Sequence, residues 1–434
     1  MSRQGFRFVH ATCLCLDEHL TGTGPLPGEF RQLAEDATFL AWEGVVDTCI
    51  NAQAEFLLLT GNSFHPRSNS LRARVALEKG FEKLAAHQID VFIAPGHLDP
   101  LSGWQKGVHL PGNVTLLGTE DHEPVAVMRD QRVLASIMTI ATPDSDETRW
   151  NGSGPAALTR HQAPFRIGMV AAGTPLRWVQ GRPQAPEQTG SSAAAATLVQ
   201  AAIDSGTDYI ALGEGIPCSY EFARSLAHDP GCAQSLSRHV TGSRGCSLVN
   251  VDAAGLITID SVAVAPIRWE DRTLTIENHH KLKDLAERMA LVMMEATPDN
   301  DERLWIVTWR VTGTGSLIDS LSDSERQREL WKKVEEELTG ERAVRRLYRL
   351  ERTHLAAETT GPQPGESGES GLLREFQVVL QESGDQLLDQ VRRDLLELDW
   401  MKHHDMRALR EVIQQISRPG VFRRAQAAAA RWLE

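Results

Sequence analysis

The sequence has few cysteines, no long apolar run and no basic block, and each absence removes a class of protein. Six cysteines (Cys13, Cys15, Cys49, Cys218, Cys232 and Cys246) are scattered over 434 residues without a CxxC pair, so neither a disulfide scaffold nor a zinc ribbon is encoded. Reduced thiols in a cytoplasm fit that usage. Nowhere do 18 consecutive apolar residues occur, and no apolar core follows the basic residues of the N-terminus, so neither a membrane span nor a secretory signal is expected. The formal charge is -13 with no compensating block of lysine and arginine. Strong binding to a phosphate backbone is therefore not favoured, and contact with DNA would need a local patch.

What is present is ordinary globular composition, with 41% hydrophobic and 24% charged residues, in a chain long enough for two or three folded units. Phe6 to Leu16 is almost continuously apolar and predicts a buried first strand. Apolar residues at three- and four-residue spacing predict a helix over 29–54, and Glu55 to Thr60 predicts a second strand closed by Gly61-Asn62-Ser63. A helix over 71–87 and a strand over 89–94 follow, the latter ending in Pro95-Gly96-His97-Leu98-Asp99-Pro100. Strands alternating with helices argue for an α/β sheet whose polar groups gather at the carboxyl ends of the strands.

Beyond residue 110 the strands shorten, and 141–164 and 173–196 read as long loops rich in Pro, Gly, Ser and Ala, the second running into a helix near Ala193. Asp208 to Pro217 forms another strand and loop. The expected organisation is a first domain over 1–265, a small α+β unit over 266–355, a linker over 356–370 and a helical segment over 371–434, with no internal repeat.

Several of these strand ends resemble the calcineurin-like metallophosphoesterase superfamily and, within it, the SbcD/YhaO-like DNA-repair exonucleases. The similar stretches are His10-Ala11, Leu14-x-Leu16-Asp17, Phe56 to Gly61 with Phe64, Val91 to Gly96, Asp99-Pro100, Val114 to Gly118, Asp208 to Gly213, Pro230-Gly231, Gly245 to Asp252 and Arg268-Trp269. The resemblance implies a metallophosphoesterase-like β-sandwich flanked by helices, with a small α+β capping domain. It also implies an SMC-like coiled-coil ATPase partner, homodimers, and two Mn²⁺ in active relatives. Those ions would be held by Asp-x-His after the first strand, Gly-Asp after the second, Asn-His-Asp after the third, and histidines ending two later strands.

This chain departs from that pattern at each position. It carries Cys13 and Cys15, then Asn62, then His97 and Leu98, then Ala171, and Glu214 to Ile216 where Gly-x-His is expected, while Asp17 and Asp99 are retained. Two cations about 3.5 to 4 Å apart need a bridging anionic oxygen and imidazoles, which these residues do not offer. The expectation is a pseudo-nuclease with no metal and no catalytic residue, serving as a scaffold or regulatory subunit. The alternative is an active phosphodiesterase or exonuclease with a rebuilt site.

Cys13 and Cys15, two apart on a strand, would share a face and could offer two thiolates with His97 as third ligand. The plainer reading is that they are small buried hydrophobes. Asp17 and His19 spell a shifted Asp-x-His or a solvated loop. Asp99 is expected to order its loop, and Glu214 to stabilise one. His279-His280, His403-His404, Gly313-Thr314-Gly315 and the arginines Arg418, Arg423, Arg424 and Arg431 read as surface features.

Overall fold

The computed structural model describes residues 5–354 except 17, 67–69, 119–123, 144–162, 180–181, 186–189 and 339–343, and beyond residue 354 only 386, 389 and 390. The expected linker and the C-terminal helical segment thus lie almost wholly outside the described residues.

β1 (Phe6–Ala11) is apolar on both faces because it lies inside a six-stranded sheet, between β2 (Phe56–Leu59) and β13 (Gly245–Val251). β3 (Asp90–Ile93) and β4 (Val114–Leu116) continue the sheet parallel to β2, and β14 (Ile257–Ala263) closes the other edge antiparallel to β13. The parallel connections run through α1 (Gly28–Asn51), α2 (Leu71–Ala86) and the short α3 (Leu101–Gly107).

A second six-stranded sheet has the order β11-β12-β10-β7-β6-β5. It comprises β5 (Val125–Arg129), β6 (Arg132–Ala141), β7 (Arg166–Val170), β10 (Tyr209–Ala211), β11 (Cys218–Glu221) and β12 (Leu226–Asp229). The expected loop over 173–196 instead contains the hairpin β8 (Arg177–Val179) and β9 (Arg182–Gln184), and α4 (Gly190–Asp204) begins earlier than expected.

Side chains alternate across each strand, so both faces of the first sheet find a partner. Phe8, Phe56, Leu58 and Phe92 meet Ile137, Ile167, Met169 and Tyr209 of the second sheet. Phe8 stacks on Phe56 at 4.8 Å and meets the edge of Tyr209 at 5.2 Å. Each such aromatic contributes about 1.5–3 kcal/mol by burial. Val9, Leu57, Leu59, Val91 and Ile93 face the other way, against Trp42 and Val45 of α1 and Leu77 and Phe81 of α2. Helix α4 covers the outer face of the second sheet through Ala195, Val199 and Ala202. The result is the expected sandwich of two sheets between helices.

A third, wholly parallel sheet comprises β15 (Ile267–Ile276), β16 (Leu304–Gly313) and β17 (Arg345–His354). Trp305, Val307, Trp309 and Val311 face α5 (Leu282–Met294), α6 (Ser316–Ser320) and α7 (Ser324–Glu337). The opposite face packs Ile267, Trp269, Leu304 and Ile306 on Ala37 of α1. This parallel sheet and its helices lie within the stretch expected as a small α+β unit. Among the described residues no helix is long and apolar enough to cross a membrane.

Candidate functional site at the strand ends

The first strand stops at Ala11, short of the expected Leu16. Thr12 makes an isolated parallel bridge to Cys232. Cys13 and Cys15 then adopt left-handed φ of 49° and 47°, and Asn62 after β2 has φ 55°. Left-handed backbone costs an L-residue roughly 1–2 kcal/mol, so neighbours must hold it. Cys13 N–H donates to Gly61 O (3.0 Å), Cys15 N–H to Asn62 O (3.0 Å) and Leu16 N–H to Ser63 O (2.9 Å), joining the loop after β1 to the loop after β2. Leu14 and Leu16 are buried in the core beside α1. The apolar run that suggested a longer strand is therefore a buried loop.

It follows that Cys13 and Cys15 do not share a strand face. The Cys13 thiol donates weakly to Gly213 O (3.7 Å) and lies 3.9 Å from Asn62 Nδ2; burial pushes it up to about 12. Cys15 donates to Asn62 O (3.5 Å), and burial raises it well above the usual thiol range. Both are neutral thiols at physiological pH. Cys232 lies close enough to interact with both electrostatically, and burial raises its thiol as well. His97 is exposed, and its backbone N–H donates to Ala172 O at 2.9 Å. Among the described residues no three His, Cys, Asp or Glu side chains are grouped to hold a metal ion, so Cys13, Cys15 and His97 do not form the alternative ligand set.

Asn62 stands where a bridging carboxylate is expected, and its Oδ1 accepts the Leu98 N–H at 3.0 Å. Leu98 is half-buried and Ala171, just beyond β7, is buried. Glu214 is exposed, and Ile216 is 66% exposed. Asp99 is fully buried and accepts backbone N–H groups of Asn62 (2.7 Å), Ser63 (2.9 Å) and Gly96 (2.8 Å) and the Trp104 indole N–H (3.2 Å). Burial outweighs those donors and pushes its carboxyl up to about 6. Asp17 lies outside the described residues.

Three groups escaped the sequence reading. Asp229, which ends β12, is fully buried, accepts N–H from Gly215 (3.0 Å) and Gly231 (2.7 Å), and is pushed up to about 7 by burial. His228 lies between Ser219 Oγ (2.7 Å from Nδ1) and Ser247 Oγ (2.8 Å from Nε2), and burial lowers it to about 4. His10, quoted only for its resemblance, lies 3.0 Å from the Tyr209 hydroxyl and 3.2 Å from Thr60 Oγ1; burial lowers it well below the ordinary value. Both imidazoles are neutral members of the packed interior. The hints for these were the resemblance at His10-Ala11 and, for Asp229, its adjacency to Pro230-Gly231.

The remaining candidates are peripheral. His279 stacks on His280 at 4.4 Å, while His280 Nδ1 accepts the Glu277 N–H, as a surface turn would. Thr314, between its glycines, donates to Asn278 Oδ1 at 2.7 Å. His403, His404 and the late arginines lie outside the described residues. His19 lines an open groove of about 800 Å³ with Leu16, Leu20, Phe39 and Arg72.

The chain thus has two packed sheets with helices outside and loops converging at the ends of parallel strands, and it is similar to proteins of the metallophosphoesterase class. No family model matches it. One protein to which it is similar is the uncharacterized metallophosphoesterase YhaO of Bacillus subtilis (strain 168), 28% identical over 276 residues, which cover 62% of this chain. The aligned part is 63% of that protein, less than two thirds of its length. Among solved structures, the chain is similar to TT1561 of Thermus thermophilus (12% identity, TM-score 0.36, covering 60% of this chain and 99% of that one). It is likewise similar to a dimetal phosphatase from Danio rerio (9%, TM-score 0.33, 57% and 93%) and to the phosphoesterase YfcE of E. coli (14%, TM-score 0.25, 59% and 99%).

The two ions implied by the fold do not fit the residues present. Neutral thiols, an amide whose oxygen already accepts a backbone N–H, and apolar side chains stand at the positions where the resemblance expects carboxylate oxygen and imidazole.

Proposed function

We propose that this chain is a pseudo-enzyme, a relative of the SbcD/YhaO-like exonucleases that keeps the fold and serves as a scaffold or regulatory subunit. The observation that carries this reading is Asn62: at the position where the resemblance expects a bridging carboxylate, it has an amide whose oxygen is bonded to the backbone of Leu98. The absence of any three-ligand group among the described residues supports it and disfavours a rebuilt phosphodiesterase site using Cys13, Cys15, His97 or Glu214.

An SMC-like coiled-coil ATPase is the proposed partner, with a second copy of the chain as a further one. The amphipathic pattern of 371–434 supports that segment as the docking element. Six free thiols support a reducing, cytoplasmic setting.

The test is metal content and manganese-dependent nuclease activity on one preparation. Sub-stoichiometric metal and no cleavage are expected. Near-stoichiometric, tightly held metal that is lost in the variant carrying Cys13→Ala and Cys15→Ala, or manganese-dependent cleavage, overturns the proposal. Separately, recovery of the same partners after deletion of 371–434 refutes the docking assignment.

A further inference from the structure

We propose that Asp99 and Asp229 form a metal-free clamp that holds the strand-end loops in place. The inference rests on the pseudo-enzyme reading in one respect, that no ion does this work.

The connections can be followed loop by loop. The loop after β1 is bonded to the loop after β2 through Cys13, Cys15 and Leu16. Asp99, from the loop after β3, gathers Asn62 and Ser63 of the second loop, Gly96 of its own and Trp104 of α3. Ala172, beyond β7, accepts from His97 (2.9 Å) and donates to Thr60 O (2.7 Å), which ties the second sheet to the first. Asp229 then gathers Gly215, beyond β10, and Gly231, while Cys232 N–H donates to Gly215 O (3.2 Å) and Cys232 is the bridge partner of Thr12. The circuit closes on the loop where it began.

A carboxyl group suits both nodes because each of its two oxygens can accept, and when ionised it has no donor to face the N–H groups. An amide of the same shape has one oxygen and an NH₂ that would face N–H donors. Neither carboxylate is ion-paired among the described residues, so backbone N–H groups carry the stabilisation. Asp99 links the loops after β2 and β3, and Asp229 those after β10 and β12, beyond the ends of the ladders that pair those strands.

The test is amide hydrogen exchange on chelator-treated protein, with urea unfolding repeated in EDTA and in excess Mn²⁺. In the wild type the amides of Asn62, Ser63, Gly96, Gly215 and Gly231 should exchange as slowly as those of the central strands, and neither EDTA nor Mn²⁺ should move the midpoint. In Asp99→Asn the first three amides should exchange roughly tenfold faster or more, in Asp229→Asn the last two, with β15–β17 unaffected. Fast exchange of these amides in metal-free wild type overturns the clamp alone and needs no variant to fold. Saturable stabilisation by Mn²⁺ overturns the clamp together with the pseudo-enzyme reading. Unchanged local exchange in both variants also refutes the clamp.

Discussion

Replacing Asp229 by asparagine should change how stability depends on pH, and the size of the change follows from burial. In the unfolded chain the carboxyl ionises near its ordinary 3.8, and in the fold near 7, because burial opposes the charge more than the Gly215 and Gly231 amides favour it. As pH rises from about 4 the unfolded chain releases this proton first. The stabilisation is complete below the unfolded value and lost as pH climbs to the folded one, a fall of about 4 kcal/mol at about 1.36 kcal/mol per pH unit. His228 acts in the opposite sense. Its folded value is lowered to about 4 from 6.5, so its contribution is present above pH 6.5 and is lost on acidification, by about 3 kcal/mol. Wild-type stability between those limits is a partial cancellation. Asp229→Asn removes the acid's share and leaves that of the histidine. It also carries a pH-independent cost of about 1–3 kcal/mol, since one amide oxygen must serve two donors. Urea unfolding at a series of pH values should show the gap between wild type and variant shrinking by about 4 kcal/mol from about pH 4 to pH 7.5. A gap that stays constant over that range refutes the reasoning.

Gly213→Ala should destabilise the fold by about 1–3 kcal/mol, read as a lower unfolding midpoint, because the added Cβ lies 2.4 Å from Thr60 O and 2.7 Å from Ala172 N; an unchanged midpoint means that these loops are not packed as described. Arg268→Ala takes the guanidinium from Glu302 (3.3 Å) and one of two from Glu270 (2.5 Å), which keeps Arg272 (3.0 Å), and removes the stacking on Trp305, so thermal or urea unfolding should register a loss of about 1–3 kcal/mol. Native protein should resist alkylation at Cys13 and Cys246, both buried and pushed up to about 12, at a rate set by unfolding; labelling of Cys13 within seconds at neutral pH would show an open site.

The first half of the fold was legible because β1 to β3 are buried on both faces and read as apolar runs separated by helical periodicity. That same signal misled at Cys13 to Leu16, where Leu14 and Leu16 are apolar because a loop enters the core. The short strands β8, β9, β11 and β12 went unread because three or four residues give no periodicity. At the site, the substituted positions could be found by resemblance, but their present use could not. That Asn62 bonds Leu98, or that Asp229 collects two amides, depends on loops meeting beyond the ends of neighbouring strands, which no local spacing records.

Helix α1 is shared property. Its later turns, through Trp42, Val45 and Cys49, complete the core of the first sheet, while Ala37, with Phe30, Leu33 and Ala34, completes the one under Trp269 and Ile306. The third sheet cannot detach without stripping apolar surface from a helix that the first sheet depends on. In calorimetry the two should melt together as one peak, with calorimetric and van't Hoff enthalpies in agreement, rather than as independent bodies on a tether.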